Sequence, residues 1–546
     1  MKTLALIVAA LVTGVPVLAG ILITVLKATD AGAWSIVLAT PGVWRALALS
    51  LWTGTASTVI ALAIAHLTVA LAGPAHWNNR WRGALLPLLA MPHLAVAIGL
   101  ALTLAPSGLI VRLLWPALTG LAQPPDWITI QDPNGVALIL GLVVKEAPFL
   151  TLMLLGALAQ VPSDRLMLTC RLLGYGRLKG WFVGVAPLLQ RQMRLPLAAV
   201  FVFGVSNVEM AIPLGPQTPT TFGILLWQWF TVSRLELQGA AYAGTVLLLG
   251  ATVGGLLAGH GVGRLGHRAL CRIAASGHRR VRDGWVRRAL LALPLTVAAL
   301  SVAAMAALAL RSGSRLWRFP RVLPDHLDWE TFTSAAPSAG ASMATTLIIA
   351  VAVALAAVAI TLGLIELLAG SPRWRRAVGI GLFLPLVVPQ FAFLFGLTWL
   401  LTRLRLDGSL PAVIWSHLLF ALPYTWGILA GARAALDPRY ALLARTLGSG
   451  PLRTWWAVTA PLLSRSILLA AAVAGAVSTA LYLPTLFAGA GRIATIATEA
   501  AGAAASGNLR TAAVYGALQA LLPLAAFAVA ALGAQRVYRR FNAVPR

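Results

Sequence analysis

The sequence predicts an all-α polytopic membrane protein of about twelve transmembrane helices, arranged as two parallel six-helix repeats. Three observations predict this class. Of the 546 residues, 59% are hydrophobic and only 10% are charged, whereas about a quarter of residues are charged in soluble domains. Continuous apolar runs of about 20 residues, long enough to cross the hydrocarbon core, recur along the chain. Several short motifs also recur in the second half of the chain at nearly constant spacing.

The composition excludes several other classes of protein. The apolar content is too high for a disordered chain. The strands of an outer-membrane barrel would alternate apolar and polar residues over about ten positions, which these runs do not. Two cysteines, Cys170 and Cys271, are too few for a disulfide framework or a zinc site. Both lie in predicted cytoplasmic segments, so free thiols are expected.

The apolar runs place the predicted spans. The first six are 5–26, 46–71, 84–106, 136–158, 188–213 and 239–261, and the second six are 289–310, 342–369, 378–402, 411–434, 461–487 and 511–534. Residues 107–121 and 219–231 are predicted as shorter helices at the outer surface. A signal peptide is the alternative for the first span, but only Lys2 precedes the run, which continues past a weak cleavage site to Leu26.

The distribution of the 42 Lys and Arg residues predicts the orientation in the membrane. If the N-terminus is cytoplasmic, 28 of them lie in cytoplasmic segments and twelve lie outside or at the outer edge. Both termini are therefore predicted to be cytoplasmic, and the net charge of +27 mainly encodes orientation. The densest run, 264–288, could suggest nucleic-acid binding, but its place between two spans favours anchoring to anionic membrane lipid, with no nucleic-acid partner.

An internal repeat divides the chain near its middle. The sequence Leu-Gly-Tyr-Gly-Arg-Leu at 173–178 matches Leu-Gly-Ser-Gly-Pro-Leu at 447–452, and the first residues of these motifs are 274 positions apart (447 minus 173). Six spans per half give both halves the same polarity, so the repeat is parallel, with its axis along the membrane normal. The predicted units are a first permease half at 1–262 with its core at 45–260, a basic cytoplasmic linker at 263–288, and a second half at 289–546 with its core at 340–535.

A cytoplasmic segment of the same pattern follows the fourth and the tenth predicted span. Residues 164–187 are here named the first Gly-x-Gly segment, and residues 438–461 the second. Each is predicted to form a short amphipathic helix, a sharp turn, a second short helix, and a proline that opens the next span. Glycine tolerates the positive φ of a sharp turn, and proline is accepted in the first helical turn. The residues concerned are Gly174, Gly176, Pro187, Gly448, Gly450 and Pro461.

This pattern resembles the coupling loop of ABC-importer permeases, the EAA motif. Its signature is Glu-Ala-Ala, three residues, a glycine, and a proline thirteen residues after that glycine. The glycine-to-proline spacing is met twice, from Gly174 to Pro187 and from Gly448 to Pro461. The Glu-Ala-Ala triplet is absent from both segments, and the missing glutamate predicts a more apolar docking surface. The triplet positions hold Leu168, Thr169 and Cys170 in the first half and Leu442, Leu443 and Ala444 in the second.

The resemblance implies a duplicated, MetI-like permease subunit of a type I ABC importer in the bacterial inner membrane. It is most similar to the ferric iron, thiamine and polyamine branch. In that family the coupling loop docks on an ATP-hydrolysing subunit, whose closure rocks the spans. The implied partners are two copies of an ABC ATPase, which would bind ATP and Mg²⁺, and a periplasmic or lipid-anchored solute-binding protein.

The chain itself lacks the motif for ATP hydrolysis. None of its four lysines stands in the Gly-Lys-Ser/Thr setting of a phosphate loop. No catalytic residue, resident cofactor or metal site is therefore predicted in this chain. A secondary transporter with parallel 6+6 repeats is the alternative, and it would explain the repeat but not the two Gly-x-Gly segments.

Polar residues within spans are candidates for the transport pathway, because they are costly to place there. Glu209 lies in the fifth span, and on a continuous helix it would share a face with Ser206 and Pro213. Glu209 either lines the pathway, which would favour a cationic substrate, or is held near the outer interface by a hydroxyl or an arginine. The predicted pathway residues are Ser206, Asn207, Glu209, Ser478 and Thr479.

Other intramembrane groups have structural interpretations. Lys145 and Glu146 could form an internal ion pair or a contact between helices. His93 and Gln390 each follow a proline and are expected to satisfy freed backbone groups rather than bind a metal. The roles of His417 and Tyr424 stay open. The outer loops at 214–238, 311–340 and 488–509 are long enough to receive a binding protein.

Overall fold

The structure, a computed structural model, describes residues 2–72, 90–114, 120, 123–277, 279, 284–327 and 330–542. Within these ranges the regular secondary structure is helical, which confirms the predicted all-α class. Ten helices there are long and apolar enough to cross a membrane. Five residues of the predicted cytoplasmic charge set lie outside the described part of the chain: Arg80, Arg82, Arg280, Arg282 and Arg546.

The first half of the chain contributes the following helices. They are α1 (Lys2–Lys27), α2 (Ala31–Ala39), α3 (Val43–Ala72), α4 (His93–Leu104), α5 (Leu109–Leu114), α6 (Val136–Leu158), α7 (Ser163–Leu172), α8 (Arg177–Gly180), α9 (Ala186–Ser206), α10 (Ala211–Leu214), α11 (Phe222–Thr231) and α12 (Leu235–Ala275).

The second half repeats this order with local differences. Its helices are α13 (Gly284–Leu290), α14 (Ala292–Ser312), α15 (Glu330–Leu367), α16 (Pro372–Leu382), α17 (Leu384–Val387), α18 (Gln390–Arg403), α19 (Leu410–Ala435), α20 (Arg439–Thr446), α21 (Pro451–Thr454), α22 (Ala460–Ala480), α23 (Leu483–Ala488), α24 (Ile496–Ala505) and α25 (Leu509–Asn542).

Several of the twelve predicted spans are interrupted, and one of them is the eleventh, 461–487, which is divided between α22 and α23. The fifth, 188–213, was expected to be one helix, but α9 ends at Ser206 and a non-helical stretch separates it from α10. The ninth, 378–402, is divided among α16, α17 and α18. Pro385 and Pro389 lie at these divisions, and proline lacks the N–H that would continue the helical hydrogen bonding. Residues 84–89 of the third predicted span lie outside the described residues.

The predicted short outer helices are present where the structure describes them. Helix α11 lies within the predicted stretch 219–231, and α5 lies within 107–121. Helices α11 and α24 begin in the same way: a hydroxyl of a long helix accepts a hydrogen bond from the first backbone N–H of each short helix. Phe222 N donates to Ser50 Oγ and Ile496 N donates to Thr346 Oγ1, both at 2.9 Å.

Each half has its own three-helix centre. Helices α3, α6 and α9 pack together in the first half, and α15, α19 and α22 pack together in the second. Small residues allow the close approach of α3 and α9, since a Cβ on Gly204 would lie 3.0 Å from the Cα of Gly54. Lipid-embedded helices depend on such close packing, because the surrounding lipid is itself apolar.

The halves exchange their first helices. Helix α1 packs against α18 of the second half, and α14 packs against α4 of the first half. Both crossings are tight: a Cβ on Gly396 would lie 2.8 Å from the carbonyl carbon of Gly20, and a Cβ on Gly99 would lie 2.8 Å from that of Ala304. The two halves are therefore interlocked rather than merely adjacent.

The main hydrophobic core lies between the halves. Phe230 of α11 stacks on Phe395 of α18, with ring centroids 4.0 Å apart and planes within 5°. Phe487 of α23 meets both rings edge-on, and Tyr242 of α12 lies beside them. Aromatic pairs of this kind contribute about 1 kcal/mol each beyond their buried area. The core therefore stabilises the association of the two halves.

On the predicted outer side, Arg112 of α5 holds the loop that follows α14. Its guanidinium donates to the carbonyl oxygens of Trp317, Arg318 and Arg321 at 2.7 to 3.0 Å. The guanidinium also lies 4.7 Å from the centroid of the Trp317 ring. This loop, part of the stretch 311–340 predicted to receive a partner, is thus tied to the first half.

Candidate functional site

The first Gly-x-Gly segment has the predicted local structure. Helix α7 ends at Leu172 and is followed by Gly174 at φ +85°, where a glycine is favoured because a side chain would be strained. Gly176 then precedes α8, which continues through a π-helical turn at Trp181–Val185 into α9. Pro187 stands in the first turn of α9, where its missing N–H costs nothing.

The second Gly-x-Gly segment has the same geometry. Helix α20 ends at Thr446 and is followed by Gly448 at φ +82°, and Gly450 precedes α21. A π-helical turn at Trp455–Thr459 leads into α22, with Pro461 in its first turn. The two segments therefore share a fold as well as a spacing.

The triplet positions divide into exposed and buried ones. Leu168 and Leu442 are 57% and 63% exposed, and Thr169 and Leu443 beside them are also exposed. Cys170, in contrast, lies on the buried face of α7, and Ala444 is half-buried on α20. The first position of each triplet thus presents an isobutyl group to the surroundings.

Cys170 packs against the turn that follows it. A Cβ on Gly184 would lie 2.6 Å from the Cys170 Sγ, so only a small residue fits on either side. Burial raises the pKa of the Cys170 thiol, because the thiolate would lose its hydration. Both Cys170 and Cys271 are free thiols, as predicted.

The first segment is anchored to its own half by aromatic side chains. Trp181 is fully buried and donates from Nε1 to Nδ1 of His66 on α3, at 3.2 Å. The Tyr175 hydroxyl donates to the carbonyl oxygen of Ala274 near the end of α12, at 3.3 Å. Movement of this segment would therefore be transmitted to α3 and α12.

An ion pair fixes the helix that precedes the second segment. Arg433 at the end of α19 forms a two-point ion pair with Glu366 of α15, with Nε to Oε1 at 2.7 Å and Nη2 to Oε2 at 3.5 Å. A groove of about 340 Å³ opens beside this pair. Its walls include Asp437, Arg439, Tyr440, Leu442 and Arg445.

The predicted pathway residues lie at two helix breaks that face each other. Ser206, Asn207 and Glu209 surround the break between α9 and α10, and Ser478 and Thr479 precede the break between α22 and α23. All five are buried. The expected shared helical face of Ser206, Glu209 and Pro213 is wrong, because the helix ends at Ser206.

Glu209 joins the two halves. Its Oε1 accepts a hydrogen bond from the backbone N–H of Tyr482, the residue at the break in the second half, at 3.3 Å. The expected alternative, a hydroxyl or an arginine as the partner, is wrong. In this conformation the carboxylate is 7% exposed and bridges the interface between the halves.

A buried histidine braces the opposite break. His417 of α19 contacts Ser478 through Nδ1 and Thr485 through Nε2, both at 2.9 Å. The Thr485 hydroxyl donates to the carbonyl oxygen of Leu481 at 2.6 Å, so it accepts from His417 Nε2–H. Nδ1 then accepts from the Ser478 hydroxyl. This network fixes the chain on both sides of Tyr482.

Asn207 and Thr479 occupy corresponding places before the two breaks. The Asn207 side-chain oxygen accepts from Met210 N at 2.8 Å, while its amide nitrogen is buried with no hydrogen-bond partner. The Thr479 carbonyl oxygen accepts from Gln519 Nε2 at 3.3 Å. Only the first half therefore places an unsatisfied donor and a carboxylate at its break.

The remaining intramembrane groups differ in part from expectation. His93 does not serve freed backbone groups, and that prediction is wrong: its Nε2 lies 3.1 Å from Glu146 Oε1 on α6. Glu146 thus makes the contact between helices that was one of its two predicted roles. Gln390, at the corresponding start of α18, has a buried Oε1 without a partner. Among the described residues, no three His, Cys, Asp or Glu side chains are grouped to hold a metal ion.

Two residues at this site were absent from the predictions. Tyr482 acts through its backbone and Thr485 through its hydroxyl, and neither has an unusual residue type. The available signal was position, because Glu209 and Tyr482 are 273 positions apart (482 minus 209), close to the repeat spacing.

Comparison with known proteins decides the family. The chain is 32% identical over 510 residues to the "Inner membrane ABC transporter permease protein YnjC" of Escherichia coli (strain K12), covering 92% of this chain and 91% of that protein. The chain belongs to the inner membrane ABC transporter permeases. It is accordingly a multi-pass inner-membrane protein and a permease component of an ABC transporter.

A more distant similarity covers part of the permease. Over 152 residues it is 29% identical to the "Molybdenum transport system permease protein ModB" of Mycobacterium tuberculosis (strain ATCC 25618 / H37Rv), which is 25% of this permease and 58% of that protein. The ModB protein of Mycobacterium bovis (strain ATCC BAA-935 / AF2122/97) gives the same values. No family model matches the chain.

Proposed function

We propose that this permease is the complete transmembrane part of an importer, with both permease halves in one chain. The observation that carries the proposal is the pair of Gly-x-Gly segments, which share helix, turn and proline geometry and follow corresponding helices, α6 and α19. With both termini in the cytoplasm, both segments face the cytoplasm. Each would then receive one of two ATPase subunits.

The energy source is a separate polypeptide. The sequence has no phosphate-loop motif, so ATP and Mg²⁺ would bind to the partner ATPase. A periplasmic or lipid-anchored binding protein would deliver the substrate to the outer loops, including the one that Arg112 holds. The basic stretch 264–288 would contact anionic lipid.

The substrate is proposed to be a cation, as in the ferric iron, thiamine and polyamine branch. Glu209 is the observation in favour, because a carboxylate at the junction of the halves would attract a cation once its contact with Tyr482 opens. The similarity to ModB, a protein named for molybdenum transport, covers too little of this permease to set its substrate.

Reconstitution tests the proposal. The permease is purified with its cognate ATPase, placed in liposomes with the binding protein, and given ferric iron, thiamine or a polyamine. ATP-dependent movement toward the side that carries the ATPase is expected, with no ATPase activity from the permease alone. Transport driven by an ion gradient without the ATPase would instead indicate a secondary transporter.

Glu209→Gln tests the carboxylate itself. The amide keeps a carbonyl oxygen for Tyr482 N–H but removes the negative charge, so uptake of a cation is expected to fall about tenfold. Asp126→Asn, at an exposed carboxylate between α5 and α6, is the control and is expected to transport normally. Normal uptake by Glu209→Gln would remove this carboxylate from the pathway.

A further inference from the structure

We propose that each Gly-x-Gly segment presents an Arg-Leu-Arg ridge to an ATPase cleft that is apolar at its floor and lined by carboxylates at its rim. The first ridge consists of Arg165, Leu168 and Arg171 on α7, and the second of Arg439, Leu442 and Arg445 on and around α20. This inference rests on the proposed coupling to an ATPase. It adds that the partner surface carries carboxylates, whereas a glutamate in the triplet would require a partner surface that carries cations.

The ridge residues share one side of a short helix. Residues three apart are neighbours on an α-helix, so the leucine lies between the two arginines. All six side chains are exposed, and Leu168 and Leu442 are more than half exposed. An exposed leucine flanked by two guanidinium groups is suited to a partner that buries the leucine and neutralises the arginines.

The cations of the ridge are not neutralised within the described part of the chain. The ion pairs there involve other residues, and Arg433, beside the second ridge, is already paired with Glu366. One carboxylate lies near each pair of arginines: Asp437 accepts from Arg439 N at 2.9 Å, and Asp164 stands in the first turn of α7. Two arginines beside one carboxylate leave each ridge with a net positive charge.

Comparison of the two halves gives independent support. Over 165–171 and 439–445 the halves agree at only the three ridge positions. The less exposed positions have diverged, with buried Met167 and Cys170 in the first half opposite half-buried Ala441 and Ala444 in the second. Packing inside the permease does not require an exposed arginine or leucine, so a common external partner explains why these positions coincide. It also allows one ATPase polypeptide, in two copies, to serve both halves.

Lipid headgroups are the other possible partner for cytoplasmic cations. Attraction to anionic lipid depends on the number of charges near the membrane, not on a fixed spacing around an exposed leucine. The groove of about 340 Å³ beside the second ridge is lined by both of its arginines and by Leu442, so a protein side chain that entered it would contact all three. These features favour a protein surface.

The test measures binding of the cognate ATPase to the full permease in nanodiscs of neutral lipid, as a function of salt. In Arg171→Glu/Arg445→Glu, two attractions become repulsions, so affinity is expected to fall about tenfold at low ionic strength and to approach the wild-type value at high salt. Leu168→Ser/Leu442→Ser is expected to weaken binding at every salt concentration. Arg373→Glu/Arg376→Glu, at exposed positions of α16, is the control and should leave binding unchanged.

The outcomes separate the inference from the proposed function. Unchanged binding after charge reversal, with binding lost in the leucine variant, would show that the segments dock on a cleft that is not acidic, and would overturn only the inference. Unchanged binding in both variants would overturn coupling through these segments as well. Charge reversal that weakens binding of the permease to anionic vesicles but not to the ATPase would assign the ridge to lipid and overturn the inference.

Discussion

The crossing of α1 over α18 predicts that Gly396→Ala destabilises the permease. A Cβ at this position would overlap the carbonyl oxygen of Gly20 and lie 2.8 and 2.9 Å from its carbonyl carbon and Cα. These are backbone atoms, which cannot rotate away as a flexible side chain can. Overpacking of this kind costs about 1–3 kcal/mol, which outweighs the gain of about 1 kcal/mol that alanine brings to a helix.

The assay is thermal unfolding of the detergent-solubilised chain, followed by loss of the monodisperse species. Gly99→Ala is expected to behave like Gly396→Ala, because its Cβ would meet the backbone of Ala304 in the corresponding crossing. Gly254→Ala and Gly363→Ala are the matched controls, since no atom lies within 4 Å of the added Cβ. A melting temperature of Gly396→Ala equal to or above those of the controls would refute the close exchange of first helices.

Two further predictions concern buried and exposed side chains. His417→Leu leaves the Ser478 hydroxyl without its acceptor, so it is expected to lower the free energy of unfolding by about 1 kcal/mol. It is also expected to slow transport without changing ATPase binding. Transport at the wild-type rate would contradict the bracing role. A membrane-impermeant maleimide is expected to label exposed Cys271 only from the cytoplasmic side. Buried Cys170 is expected to react slowly, and its labelling rate should keep rising at alkaline pH because burial raises the pKa of its thiol. Labelling of Cys271 from outside, judged against Cys271→Ala, would reverse the predicted orientation.

Much of the helical framework could be predicted from the sequence, because apolar length is a direct signal of a span. The fourth predicted span, 136–158, coincides with α6 at both ends. The turns at Gly174 and Gly448 were also predictable, since the required positive φ restricts the residue type. The interruption at Phe383 was not, because the apolar composition continues across it. At Ser206 the polar residues Asn207 and Glu209 follow, but such residues also occur within continuous membrane helices.

The arrangement of the helices could not be predicted in the same way. The exchange of α1 and α14 between the halves depends on small residues such as Gly20 and Gly99, and the sequence holds 50 glycines. Gly99 and Gly396 do stand at matching places after Pro92 and Pro389, but that match alone does not identify the helix that packs on them. Likewise, the partner of Glu209 is a backbone N–H, which every residue except proline carries.

The two halves are alike at the Gly-x-Gly segments and different at the facing helix breaks, and this contrast bears on the mechanism. At the Gly-x-Gly segments both halves keep the same turns, the same prolines and the same exposed Arg-Leu-Arg ridge. At the facing helix breaks they differ: one half supplies a carboxylate, and the other supplies a backbone N–H braced by His417. Under the proposed coupling, a nucleotide-driven motor that closes symmetrically would need equal contacts on both halves, whereas the proposed cationic substrate needs only one properly placed charge. Two halves in one chain permit this combination, because each half can change the residues at its helix break while both keep the same exposed ridge.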